Sequence, residues 1–204
     1  MKTLSPRLNW FGLAAGIIIL IVLVISFYVP WWQLTVGQDL VKVNASPVNT
    51  NFGLFGKQFT VPLIWATNLV SILTLTASGV VMLVYSIFPA KSYSKELLGF
   101  SYKKPLYILI LFVSGLLVIT AIAGVLGFSI PLVGSTNFAV PTQFIPSNFA
   151  ITALVSGSFQ LPFYLAIVAA ALCIAARLYH QRATGITNHA SSTSGSTNVT
   201  QKIN

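Results

Sequence analysis

The sequence predicts an all-α integral membrane protein with four transmembrane helices, arranged as two tandem hairpins that carry a small extracellular β-layer. Of its 204 residues, 55% are hydrophobic and only 6% are charged, whereas about a quarter of the residues in a soluble domain are charged. Four apolar stretches are long enough to cross ~30 Å of hydrocarbon at a rise of ~1.5 Å per residue. The positions of the basic and aromatic residues also agree with four spans.

The predicted spans cover residues 10–29, 63–88, 106–128 and 161–179. None of them contains Asp, Glu or Lys, and Arg177 stands in the last turn of the fourth span, where its side chain can reach the membrane surface. The first span follows Lys2 and Arg7, as the apolar part of a signal peptide does, but it is too long and lacks a small-residue cleavage site. We therefore interpret it as an uncleaved span.

The basic residues predict how the spans are oriented. Lys42 and Lys57 lie in residues 30–62, and residues 129–161 contain no Lys or Arg. We call these two ranges the first and second connecting segments. Because Lys and Arg collect on the cytoplasmic side, we expect a cell-membrane protein whose termini and loop 89–105 are cytoplasmic. Orientation and anionic lipid headgroups account for the net charge of +9, so nucleic acid is not an expected partner.

Tryptophan residues mark the expected membrane surfaces, where aromatic side chains with a polar group collect. Trp10 lies at the inner end of the first span, and Trp31, Trp32 and Trp65 lie at outer ends. These four residues are the predicted interface anchors.

A Phe-x-x-Pro sequence recurs at each of the four outer ends, and its prolines are Pro30, Pro62, Pro131 and Pro162. Proline lacks an N–H group and fixes φ, so it ends or begins a helix. The recurrence predicts that the chain is a tandem duplication of a helix–segment–helix unit, with residues 10–88 corresponding to residues 106–179.

The connecting segments have the period-2 alternation of short strands. The alternating stretches are QLTV (33–36), LVKVN (40–44), KQFTV (57–61) and, more weakly, NFAITALVSGSF (148–159). They predict the extracellular β-layer, and irregular loops lying on the membrane are the alternative.

Residues 1–182 form the predicted transmembrane domain. Residues 183–204 contain few large apolar side chains, and we expect a disordered cytoplasmic tail. Asn44 begins the sequence Asn-Ala-Ser, a candidate glycosylation site on the predicted outer side.

The sequence lacks the groups that most enzymes need. Its two acids, Asp39 and Glu96, fall on opposite sides of the membrane, and no pair of histidines lies within the spans to bind a haem. We therefore expect no catalytic residue, cofactor or metal site. The single acid predicted outside suits an acidic environment, and we expect an archaeal source that lives in acid.

Polar and small residues within the spans have helical spacing. Asn68, Ser71, Thr74 and Ser78 form a stripe on the second span, which lines a pore in one interpretation and forms interhelical hydrogen bonds in the other. Small residues that would let helices pack closely are Gly12, Gly16, Thr120, Gly124 and Gly127.

One family has a similar order of elements. The sequence resembles the claudin and peripheral myelin protein family in its four spans, in Trp32, in the β-like first connecting segment and in Gly53-Leu54-Phe55. Family members have Gly-Leu-Trp followed by two cysteines, whereas this chain has Phe55 and no cysteine there. The resemblance implies an adhesion or assembly role for the β-layer.

Two functions are compatible with these features. The first is a structural or interaction protein, a scaffold or accessory subunit whose uncharged outer layer contacts other membrane proteins or a second copy. The second is a small channel or facilitator for a neutral solute, with the Asn68 stripe lining the path.

Overall fold

A computed structural model describes residues 8–37, 40–89, 91–139 and 152–192. The helices in this part of the chain are α1 (Trp10–Ser26), α2 (Pro62–Ile87), α3 (Ser94–Val125) and α4 (Leu161–Ser192). The strands are β1 (Trp32–Val36), β2 (Val41–Ala45), β3 (Asn51–Leu54), β4 (Lys57–Phe59), β5 (Gly134–Ala139) and β6 (Thr152–Phe159). The predicted helices and β-layer are both present. The fold class is mixed rather than all-α, because the connecting segments build a six-stranded sheet.

Three helices are long and apolar enough to cross a membrane: α2, α3 and the part of α4 from Leu161 to His180. Helix α1 is also apolar, but its 17 residues stand at the lower limit of ~17–25 for a span. These lengths and compositions agree with the expected membrane location.

The four helices form a closed ring. Helices α1 and α3 each pack against both α2 and α4. Small side chains on α1 and α4, such as Ala15, Ala169 and Cys173, lie in the same buried cluster as Met82 and Tyr85 of α2. The small side chains leave room for the larger ones, which fill the middle of the ring.

Two helix bounds differ from the prediction by more than ten residues, whereas α1 and α3 each end three residues before their predicted ends. The third span was predicted to begin directly after Pro105, but Pro105 is buried inside α3, so most of the predicted loop 89–105 is helical. A proline leaves the carbonyl four residues earlier without its helical partner. That carbonyl, on Ser101, accepts a hydrogen bond of 2.7 Å from the Ser78 hydroxyl of α2.

The second difference lies at the end of α4. The helix continues to Ser192, through residues that the sequence assigned to the tail. Once a helix exists, each further residue adds one hydrogen bond at little cost, which lets a polar stretch continue it. The remainder of the predicted tail, 193–204, lies outside the described residues.

The sheet joins both connecting segments. Its strand order is β4-β3-β2-β1-β6-β5, and every neighbouring pair is antiparallel. The junction is the β1–β6 pair, in which Trp32 faces Phe159 and Val36 faces Val155. Four strands come from the first segment and two from the described part of the second. The tandem duplication therefore stays a prediction, since the two segments have different strands.

Candidate functional site

One face of the sheet covers the bundle. The buried side chains of Trp32, Leu34 and Val155 form a cluster with Leu116 of α3, and Phe112 packs against it. Residues that alternate along a strand point to one face, so this apolar set leaves the opposite face free. The sheet therefore packs on the second half of α3.

Trp32 lies inside this junction, and Trp31 lies in a second buried cluster with residues of α1 and α4. Neither side chain is at the surface, where both were predicted as anchors. Trp31 is 1% exposed and Trp32 is 4% exposed. The indole N–H of Trp31 donates to Ser26 Oγ at 2.7 Å, and that of Trp32 donates to the Leu132 carbonyl at 2.8 Å. The second bond joins the first connecting segment to the second. The sequence could not distinguish a tryptophan at a membrane surface from one under a sheet.

The other two tryptophans are at the surface of the chain. Trp10 is 70% exposed and Trp65 is 61% exposed. Both positions are compatible with the predicted interface role.

The outward face of the sheet carries neutral polar groups. Thr35 and Ser156 share a hydrogen bond of 2.6 Å across the β1–β6 junction. Asn44 lies opposite Gln33 on β1 and Asn51 on β3. Its side-chain oxygen is buried and has no hydrogen-bond partner among the described residues. The face that we expected to be an uncharged contact layer therefore has amides and hydroxyls at its centre, but it also carries Lys42, which lies opposite Thr35.

The β3–β4 hairpin forms an exposed apolar tip on this sheet. Its two turn residues, Phe55 and Gly56, have φ values of 48° and 77°, and a type I′ turn requires positive φ at both positions. Glycine and asparagine suit such positions, whereas a bulky residue is disfavoured. The Phe55 side chain is nevertheless 74% exposed, and neighbouring Leu40 is 51% exposed.

The predicted polar stripe of α2 divides into two parts. Ser78 is fully buried and donates to Ser101 of α3, and Thr74 donates to the Val70 carbonyl of its own helix at 2.7 Å. Asn68 and Ser71 instead line a cavity of about 490 Å³ between α2, α3 and the sheet. The inner part of the stripe thus forms helix contacts, and only its outer part faces open space.

The predicted helix-packing residues also have different surroundings. A Cβ atom added to Gly16 would lie 2.7 Å from Leu83 Cδ2 of α2, and one added to Gly12 would collide with the Ser86 hydroxyl of α2. A Cβ atom on Gly124 would meet no described atom within 4 Å. These α1 glycines are contact sites between helices of this chain, and Gly124 lies on an open surface.

The two remaining residues of that set have local roles in α3. Thr120 donates to the Leu116 carbonyl of its own helix at 2.8 Å. Gly127 has a φ of 82° directly after the helix, which is the conformation that ends many helices. Its need for glycine comes from the backbone conformation, and an added Cβ there would also meet no described atom within 4 Å.

The four prolines lie at helix ends on the sheet side. Pro62 is the first residue of α2 and Pro162 is the second residue of α4. Pro30 and Pro131 follow the ends of α1 and α3. Phe159, from the last Phe-x-x-Pro sequence, stacks on Phe163 with 4.2 Å between ring centres.

Asn9 forms a buried hydrogen-bond network that the sequence did not reveal. Its side-chain oxygen accepts from the Gly12 amide at 3.1 Å, and its nitrogen donates to Tyr85 Oη at 2.9 Å and to the Ala176 carbonyl at 3.2 Å. It caps α1 and also ties α1 to α2 and α4. An Asn before an apolar run is an N-cap signal, but the contacts with α2 and α4 could not be read from it.

Chemistry beyond hydrogen bonding is sparse in this site. Within the described ranges, no three His, Cys, Asp or Glu side chains lie close enough to hold a metal ion together. A scan against models of known protein families finds no match, and a search of curated proteins finds no relative.

Proposed function

We propose that this protein is a membrane scaffold or accessory subunit that contacts another membrane protein through the β3–β4 hairpin and the adjoining outward face of the sheet. Phe55 is the observation that supports this most directly. A phenylalanine at positive φ costs about 1–2 kcal/mol relative to an ordinary backbone conformation, and at 74% exposure its ring recovers little of this within the chain. Strained, exposed aromatic residues are typical of contact sites.

The open edge of the sheet adds to this surface. Strand β4 is an edge strand, and its three residues are all exposed. An edge strand offers unpaired backbone N–H and C=O groups, to which a strand of another protein can add. Lys57 is its single charged residue. The resemblance to the claudin and peripheral myelin protein family implies an assembly role for the same layer.

Substitution of Phe55 by Asn tests the proposal without threatening the fold. Asn-Gly is a preferred sequence for this turn, so Phe55→Asn should keep or raise the melting temperature while removing the aromatic contact. The matched control is Tyr28→Asn, which replaces an aromatic side chain that is 85% exposed and lies outside the hairpin.

The readout is co-purification from membranes of the source cell in mild detergent, together with photo-cross-linking from position 55. We expect one stoichiometric membrane protein to be retained by the wild type and by Tyr28→Asn, and to be lost from Phe55→Asn. Retention of the same protein by all three chains, or a monodisperse chain with no companion, would contradict the proposal.

The alternative proposal is a channel or facilitator for a neutral solute. The cavity beside Asn68 would serve as its outer vestibule. Below that level Leu75, Ser78 and Met82 are buried within the bundle, so a path would require these side chains to move. Solute flux into liposomes that is lost in Asn68→Leu would favour this alternative.

A further inference from the structure

We propose that the cavity between α2, α3 and the sheet binds the hydrocarbon chain of one membrane lipid, and that the Asn68 amide donates a hydrogen bond to an ester, ether or hydroxyl oxygen of that lipid. The proposal is independent of the hairpin contact described above. It depends on the shape of the cavity, on its lining and on the state of Asn68.

We call this cavity the wedge because it separates α2 and α3 near the sheet, where residues of both helices line it. Farther from the sheet the two helices are in contact, and the Ser78 hydroxyl donates to the Ser101 carbonyl there. Closer to the sheet, a Cβ atom on Gly115 of α3 would meet no described atom within 4 Å, although Gly115 lines the cavity. The volume of about 490 Å³ lies in the range of ~300–1,000 Å³ that is typical of ligand pockets.

The lining of the wedge is suited to hydrocarbon. Its walls include Trp32, Leu34 and Ile108, while Leu111 and Ile119 on α3 are 70% and 59% exposed on the side of the bundle. In a membrane such exposed apolar side chains of a spanning helix face lipid. A lipid chain can therefore reach the wedge from the bilayer without crossing water.

A second apolar cavity extends the wedge. It has a volume of about 530 Å³, lies further along α3 toward Leu126 and shares Leu34, Val43, Ile119 and Ile130 with the first. The two cavities together form one groove under the inner face of the sheet, and this elongated shape suits a chain molecule.

Asn68 supplies the polar end of the site. Its side chain is 8% exposed, no hydrogen bond joins it to a described residue, and its amide atoms keep access to the cavities that it lines. It lines the wedge together with Thr67 and Ser71, and it also lines a smaller cavity of about 280 Å³. A buried amide without a partner is unfavourable, and its two N–H groups can donate to a lipid oxygen.

A lipid fits this site better than a helix of another protein. A helix with side chains is ~10 Å wide and rises 5.4 Å per turn, so a volume of 490 Å³ would hold little more than one turn of it. The sheet also closes the wedge at one end. A single hydrocarbon chain with an oxygen near Asn68 can occupy both the narrow part and the polar end.

The test uses vesicles of phosphatidylcholine that contain a small fraction of the same lipid with a diazirine in one acyl chain. After irradiation, mass spectrometry counts labelled lipid per chain and locates it in peptides. Gly115→Leu fills the wedge, and the change from Gly to Leu favours a helix. Gly124→Leu is the matched control, because it makes the same change on α3 at another open position that lines neither cavity.

We expect saturable labelling of the α2 and α3 segments that line the wedge, with about one lipid per chain at saturation. Gly115→Leu should reduce this labelling at least fivefold, whereas Gly124→Leu should leave it unchanged. Asn68→Leu keeps the apolar volume and removes the amide, so half-saturation should require about fivefold more lipid, as expected for one lost hydrogen bond.

Equal labelling of the two glycine variants would overturn the proposal, as would non-saturable labelling spread over every lipid-facing helix. Retained melting temperature in detergent verifies that each variant is folded. A photo-reactive residue at position 115 that cross-links to protein rather than to lipid would assign the wedge to a protein partner and would also overturn the proposal.

Discussion

Replacing Asn9 by alanine should lower the stability of the whole bundle, because this one side chain joins three helices. The substitution removes the cap on the Gly12 amide, which contributes about 1 kcal/mol. It also removes the hydrogen bonds to Tyr85 and Ala176, which contribute about 1 kcal/mol each. The free energy of unfolding should therefore fall by about 3 kcal/mol, and at ~2–4 °C per kcal/mol for a chain of this size the melting temperature should fall by about 6–12 °C.

The assay is thermal unfolding in mild detergent, followed by tryptophan fluorescence. Thr76→Ala is the control, since the exposed Thr76 hydroxyl donates to the Ile72 carbonyl of its own helix at 2.8 Å and its loss should change the melting temperature by less than about 2 °C. Tyr85→Phe alone should cost about 1 kcal/mol, and the double variant should cost less than the sum. The reasoning is refuted if Asn9→Ala melts within 2 °C of the wild type, or if Asn9→Ala and Tyr85→Phe are strictly additive.

Three further substitutions test other parts of the structure. Trp32→Phe removes one of the hydrogen bonds between the two connecting segments, so the free energy of unfolding should fall by about 1 kcal/mol and hydrogen exchange in β6 should accelerate. Unchanged exchange would contradict a role of Trp32 in holding the segments together. Ser78→Ala leaves the Ser101 carbonyl, one turn before Pro105, without its donor, so the free energy of unfolding should fall by about 1–3 kcal/mol. Thr74→Ala should lower it less, because the Thr74 hydroxyl donates to a carbonyl of its own helix. Thermal unfolding measures both. Gly127→Ala should lower the free energy of unfolding by about 1 kcal/mol, because Gly127 has a positive φ. Gly124→Ala lies inside the helix and should raise it by up to about 1 kcal/mol. Melting-temperature shifts of the same sign for both variants would contradict an end of α3 between these two residues.

The helices could be predicted because a membrane imposes a simple length and composition. Spans must be apolar and about 20 residues long, so α2 could be located to within one residue at each end. The same reasoning failed at Pro105, where the helix continues because Ser78 of a neighbouring helix satisfies the carbonyl that proline leaves free. Hydropathy is a local property, and this compensation comes from a residue on another helix.

The sheet and the cavity depended on contacts that no local pattern encodes. Alternation in the connecting segments predicted strands, but the pairing of β1 with β6 is a choice among many non-local partners. The burial of Trp32 accompanies that pairing, and the burial of Trp31 depends on side chains from α1, α3 and α4. Asn68 was recognisable as an unusual polar residue in a span, whereas the cavity beside it is formed jointly by α2, α3 and the sheet.

The pairing of β1 with β6 has a consequence for the synthesis of the protein. Residues 32–36 leave the ribosome long before residues 155–159, against which they pair. Throughout that interval one edge of β1 has no partner strand, and such edges readily add foreign strands. A chain that stalls before its last connecting segment would therefore expose an incomplete sheet, which makes truncated forms prone to aggregation. Strand β6 directly precedes α4 in the chain, so the sheet can be completed only when synthesis of the last helix begins.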